Sequence, residues 1–214
     1  MTEYSDTDIK LLMLEYISKM YFDKPHVIAL EARYGHSSRR ADILLITTST
    51  HAFEIKSDID NLTRLPDQMH DYRRTFDKVT VVTTARHRAK IKKIASPNDG
   101  IMIIKDNVVY EERIASINGN ITKKNLISIC SKKSLSNRLG LSGSCRTLNE
   151  LRKLSEKKLS LNEIKLVATK ELVERFKGRY QQFCSETYPP FRESDLIILK
   201  YGSTLFSGNI LQNP

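Results

Sequence analysis

Cysteine is scarce in this 214-residue chain, and the three cysteines present form no pattern. Cys130, Cys145 and Cys184 are odd in number and lack the paired spacing of a zinc site. That excludes a disulfide scaffold and points to reduced thiols in the cytosol. The five histidines, His26, His36, His51, His70 and His87, form no zinc-ligand pattern, and none has an evident nucleophile partner. No apolar run approaches the ~20 residues that cross a bilayer. Met1-Thr2-Glu3-Tyr4 lacks a basic stretch followed by an apolar one, so no secretory signal is expected. A Gly-rich phosphate loop is also missing, which sets ATP hydrolysis aside. These absences leave a cytoplasmic protein with no membrane contact as the expectation.

What is present is charge, unevenly placed. Hydrophobic residues make up 40% and charged residues 28%, the balance of a soluble globular chain, and the net charge is +10. Residues 1–114 carry 18 Lys+Arg against 17 Asp+Glu, whereas the remainder carries 17 against 8. The basic excess therefore lies almost wholly in the C-terminal half. A cationic surface attracts phosphate backbones without reading sequence, although it also serves plain solubility.

Hydrophobic periodicity predicts a helix over 6–22, with Ile9, Leu12, Met13, Tyr16, Ile17 and Met20 along one stripe. Strands are predicted at 27–34, 39–46 and 51–56, with the polar Thr47-Thr48-Ser49-Thr50 joining the last two. A helix beginning near Pro66 follows, since proline suits the first helical position. The β-branched run 78–84, a basic helix over 85–95, a buried strand at 100–104 and a short strand at 108–110 extend the pattern. From about residue 118 the texture turns helical. Helices are predicted near 123–139, 147–158 and 161–180, the last two opened by capping boxes at Thr147-Leu148-Asn149-Glu150 and Ser160-Leu161-Asn162-Glu163. Residues 195–199 read as a strand or as a segment docked on the core. The basic helical region suits either a helix-turn-helix DNA reader or a helical cover over the sheet, the cover also suiting a dimer surface.

The chemistry-bearing residues sit in the strand-rich half. Alternation along 51–56 places Ala52, Glu54 and Lys56 on one face, with Phe53 and Ile55 on the other. Asp42 opens the preceding strand, and on the next helix Gln68 and Tyr72 share a face four residues apart. Two carboxylates and a lysine at one sheet edge suit a hard cation such as Mg²⁺ or Mn²⁺. The plain alternative is an ion pair between Glu54 and Lys56. Glu31 interrupts an apolar strand and suits an added metal ligand, a partner that orients Arg39 or Arg40, or an edge carboxylate paired with arginine.

Asp, Glu-x-Lys and Gln-x-x-x-Tyr, in that order, resemble the PD-(D/E)XK nuclease superfamily. The Gln-to-Tyr element is most similar to the RecB-type branch, and the block as a whole resembles a small bacterial family within the superfamily. Where that branch has glycine four residues before the aspartate, this chain has Ser38. The resemblance covers about residues 6–85. It implies an α/β fold with a restriction-endonuclease-like αβββαβ core, a mixed sheet flanked by helices, over residues 1–115. Residues 116–214 would then form the basic, mostly helical appendage. It further implies a Mg²⁺- or Mn²⁺-dependent nuclease hydrolysing phosphodiester bonds, in DNA first. Asp42 and Glu54, with Glu31 as a further candidate, would be the metal ligands, Lys56 the water-activating lysine, and Gln68 and Tyr72 the positioning groups. Arg39, Arg40 and Arg64 are the candidate nucleic-acid contacts. Two alternatives stay open: a catalytically silent nucleic-acid-binding module and an RNA-directed ribonuclease of toxin or defence type. The expected partner is nucleic acid, with a homodimer or partner protein also in view.

Overall fold

The computed structural model describes residues 3–35, 40–141, 143 and 145–201. Ser5 opens the first helix, α1 (Asp6–Met20), through a reciprocal capping box with Asp8. The strands β1 (Val27–Arg33), β2 (Arg40–Ile46) and β3 (Thr50–Lys56) follow as an antiparallel meander. A short 3₁₀ turn leads into α2 (Leu65–Arg73), which has proline in its first turn. The chain then returns as β4 (Lys78–Thr84), parallel to β3. Next come α3 (Arg88–Ile94) and the parallel strand β5 (Gly100–Lys105). β6 (Val108–Arg113) closes the sheet as an antiparallel hairpin. Its turn residues Asp106 and Asn107 both adopt the left-handed conformation that tight hairpins require. The mixed sheet has the order β1-β2-β3-β4-β5-β6.

The remaining elements are helical: α4 (Lys123–Ile129), α5 (Lys132–Arg138), α6 (Leu148–Lys158), α7 (Leu161–Glu186) and α8 (Glu193–Tyr201). The chain is thus a mixed α/β protein with a helical C-terminal region, as the periodicity predicts. One detail differs, and two open alternatives are decided. The helix expected over 123–139 is two helices, because Ser131 caps α5 and Glu171 binds the Ser131 amide and hydroxyl at 3.3 and 2.9 Å. Residues 139–147 separate α5 from α6, longer than the three- or four-residue turn of a helix-turn-helix. Residues 195–199 are helical, since burial of Leu196 and Leu199 at a spacing of three suits a helix and not an alternating strand.

The sheet is covered on both faces. Ala29, Leu44, Ala52 and Val81 share one core with Met69 and Tyr72 of α2, with Phe76 just after it, and with Leu126, Leu151, Ile164, Leu172 and Phe176 of the helical half. Ile28, Ile43, Phe53, Ile55 and Val82 form the other core with Ile9, Met13 and Ile17 of α1, joined by Phe183, Phe191 and Leu196. The C-terminal helices therefore cover the sheet. No described helix is long and apolar enough to cross a membrane.

One ion pair ties the helical cover to the sheet. Asp77, just before β4, is 1% exposed and accepts from the Thr50 amide and hydroxyl at 2.9 and 3.1 Å. Lys165 of α7 meets its other carboxylate oxygen. Lys165→Met should lower stability by about 1–2 kcal/mol, since the carboxylate keeps its neutral donors but loses its counter-charge. Thermal unfolding followed by circular dichroism checks this, and an unchanged midpoint would show that Thr50 alone satisfies Asp77.

Candidate functional site

Five of the expected residues meet between β2, β3 and α2. Continuing the Ile43–Phe53 register by one step sets Asp42 opposite Glu54, and the Ile55 amide donates to Asp42 Oδ2 at 2.8 Å. Glu54 is 1% exposed and has both oxygens engaged. Lys56 Nζ donates to Glu54 Oε1 at 2.7 Å and to Gln68 Oε1 at 3.1 Å. The Tyr72 hydroxyl lies 2.7 Å from Glu54 Oε2 and 2.8 Å from the Arg40 carbonyl, so its single proton is shared between two acceptors. Gln68 and Tyr72 reach the strands together because they stand one helical turn apart.

The electrostatics follow from crowding. Burial, and then the charge of Glu54, push the Asp42 carboxyl up to about 8. Burial also raises the Tyr72 hydroxyl well above its ordinary value, reinforced by Glu54 and Asp42. Two adjacent acids share little water here, so the Asp42 carboxyl holds its proton into the neutral range.

The other expected residues lie around this cluster. Glu31 lies within β1 but outside its paired register, with φ of 47°, a conformation costly for a residue with a side chain. Its carboxylate takes Lys10 Nζ at 2.6 Å and Arg40 Nε at 3.7 Å, which matches the arginine-paired alternative. Burial alone would raise its pKa, but the bond from Lys10 together with the charges of Lys10, Lys200 and Arg40 outweighs this and lowers it. Arg64 is exposed at the end of the 3₁₀ turn. Arg39 and Ser38 lie outside the described residues. Among the described residues no group of three His, Cys, Asp or Glu side chains is gathered as a metal-ligand set. Two participants went unread in the sequence. Lys10 is buried and bonded to Asp6 as well as Glu31; burial lowers its pKa, yet those bonds leave it raised. Its one signal was the position four residues after Asp6 on an otherwise apolar stripe. The Arg40 carbonyl, being backbone, leaves no signal.

The family model described as bacteriophage P4 protein cII matches residues 1–200, through both the sheet and the helical half. The chain belongs to that family. It is 25% identical to protein cII of Enterobacteria phage P4 over 190 residues, which covers 86% of this chain and 72% of that protein. No solved structure matches. Membership in the P4 cII family corrects the reading raised by the short motifs. The chain is not assigned to the PD-(D/E)XK nuclease superfamily or to a small bacterial family within it. The Mg²⁺-dependent phosphodiester hydrolase falls with that assignment, as does the ribonuclease alternative. The physical reason the motifs misled is visible in the cluster. Glu-x-Lys and Gln-x-x-x-Tyr specify side chains that face one another, and an internally satisfied polar cluster meets that pattern as well as a reaction centre does. Here Lys56 is bound by Glu54 and Gln68, and Glu31 is turned to Lys10.

Proposed function

We propose that this member of the P4 cII family binds nucleic acid, DNA first, without cutting it, through the basic helical half. One observation carries the reading: residues 115–214 hold 17 Lys+Arg against 8 Asp+Glu, while the strand-rich half is nearly neutral. Cations massed on one part of a protein release counterions from a phosphate backbone when they bind it. The cytoplasm remains the expected compartment. The α1-β1-β2-β3-α2-β4 order serves, in this reading, as a restriction-endonuclease-like scaffold used for support and not for cleavage.

The same reading gives the Asp42–Glu54 pair a cation. Asp42 and Glu54 are two hard carboxylates side by side, and burial, with the Glu54 charge second, keeps on Asp42 a proton that Mg²⁺ or Mn²⁺ would displace. The ion would take the place of the Asp42 proton, while Lys56 and Tyr72 hold Glu54 and Gln68 holds Lys56.

Fluorescence anisotropy with a labelled duplex, the matching single strand and a structured RNA tests the binding. Duplex affinity should fall at least ~10-fold between about 50 and 200 mM salt, with the duplex intact after incubation with Mg²⁺. No binding to any of the three at the lower salt would refute the reading.

A further inference from the structure

The surface around α6 is arranged differently from the other basic surfaces. An open groove of about 430 Å³ runs between the α5–α6 connection and α6. Leu139, Leu141 and Leu154 form its floor, while Arg146, Lys153, Lys157 and Lys158 stand around it. No carboxylate of the described residues forms an ion pair with any of those four. On other helices the cations are partly engaged: Arg88 and Lys92 hold Glu112, Arg138 holds Glu163 and Lys177 holds Glu174. The one acid on the groove, Glu150, is committed to the start of α6. Its carboxylate takes the Thr147 amide at 2.6 Å and the Thr147 hydroxyl at 2.8 Å.

We infer that this groove is where the protein holds a nucleic-acid backbone, with the α6 cations pairing phosphates along one strand. The inference deepens the nucleic-acid reading above and rests on it. Lys153 and Lys157 are one helical turn apart, a rise of ~6 Å. Lysine stems are long and flexible, so a row of cations at that spacing can reach phosphates along one strand without reading bases. An acidic peptide suits the groove less well. Leu139 and Leu141 already pack against the interior core, which leaves a shallow floor with little apolar area to anchor a side chain. What the groove offers is unpaired positive charge.

The test compares two triple variants that remove equal charge. Lys153→Gln/Lys157→Gln/Lys158→Gln empties the α6 rim, and Arg86→Gln/Lys90→Gln/Lys93→Gln removes three exposed cations at α3. Glutamine keeps helix propensity close to that of lysine, and circular dichroism verifies the fold of both. Duplex affinity of the α6 variant should fall ~10-fold or more, and its salt slope should shrink by about 2–3, while the α3 variant changes less than ~2-fold. Equal losses in both would mean diffuse charge and overturn the groove. An unchanged α6 variant beside a binding parent would overturn the groove and leave the nucleic-acid reading standing. A parent that ignores every nucleic acid but binds polyglutamate, with that binding lost in the α6 variant, would assign the groove to an acidic protein and overturn both.

Discussion

Asp42→Asn is expected to raise the thermal unfolding midpoint at pH 8 by roughly 5–10 °C, and to change it little at pH 4. In the unfolded chain the carboxyl ionises near ~3.9. In the folded chain it keeps its proton up to about 8, because burial strips its water and Glu54 sets a like charge beside it. Between those values the folded state holds a proton that the unfolded state has lost, so this group's contribution to stability falls as pH rises. The penalty is absent below about pH 4 and complete above about pH 8. The full shift corresponds to ~5 kcal/mol; coupling to Glu54 and residual exposure reduce the expected gain to ~2–3 kcal/mol. Asparagine retains an oxygen for the Ile55 amide, so the hydrogen bond at 2.8 Å survives. A divalent cation would compete with the same proton. Mg²⁺ should therefore stabilise the parent protein more at pH 8 than at pH 6, and the asparagine variant at neither. Thermal scans across pH, with and without Mg²⁺, measure both effects. A lower midpoint for the variant at pH 8 would mean that Asp42 is ionised and well paired, and would sink both expectations.

The fold was legible where burial imposes a period. Strand alternation and β-branched runs mark β1 to β5, and the hydroxyl-to-glutamate spacing at Thr147 and Ser160 marks the starts of α6 and α7. The break at Cys130 was not legible, because it depends on Glu171, forty residues away, binding Ser131. Residues 195–199 dock on the core, one of the two readings open to them, but their helical form was not legible: five largely apolar residues fit strand or helix, and packing against Phe183 and Phe191 selects the helix. The five clustered residues were legible as a group, since β3 alternation and the Gln68–Tyr72 spacing fix which sides face one another. Their role was not. Proximity of an acid, a lysine and a tyrosine says nothing about whether their hydrogen bonds close on each other or are held for a reacting molecule, and family membership corrected that reading. Glu31 shows the same limit, because its partner Lys10 comes from a helix whose pattern announces only apolar burial.

Lys56→Met is expected to cost ~3–5 kcal/mol, which lowers the unfolding midpoint by roughly 10 °C. The methionine fills most of the volume but leaves Glu54 buried beside Asp42 with no counter-charge, held only by the Tyr72 hydroxyl at 2.7 Å. Adding Glu54→Gln should recover much of the loss, because a neutral amide still accepts from Tyr72 and no longer needs a cation. The double-mutant cycle should then give a coupling of ~1–3 kcal/mol between positions 54 and 56. A lysine reserved for reaction chemistry behaves differently: its removal leaves stability largely intact, and the neighbouring acid gains nothing from being neutralised. Strong coupling would thus identify Lys56 as the counter-ion that lets a carboxylate sit at 1% exposure inside the sheet–helix interface. Additive effects would show that Glu54 finds its compensation elsewhere, with the Gln68 amide, bonded to Lys56 at 3.1 Å, as the next group to replace.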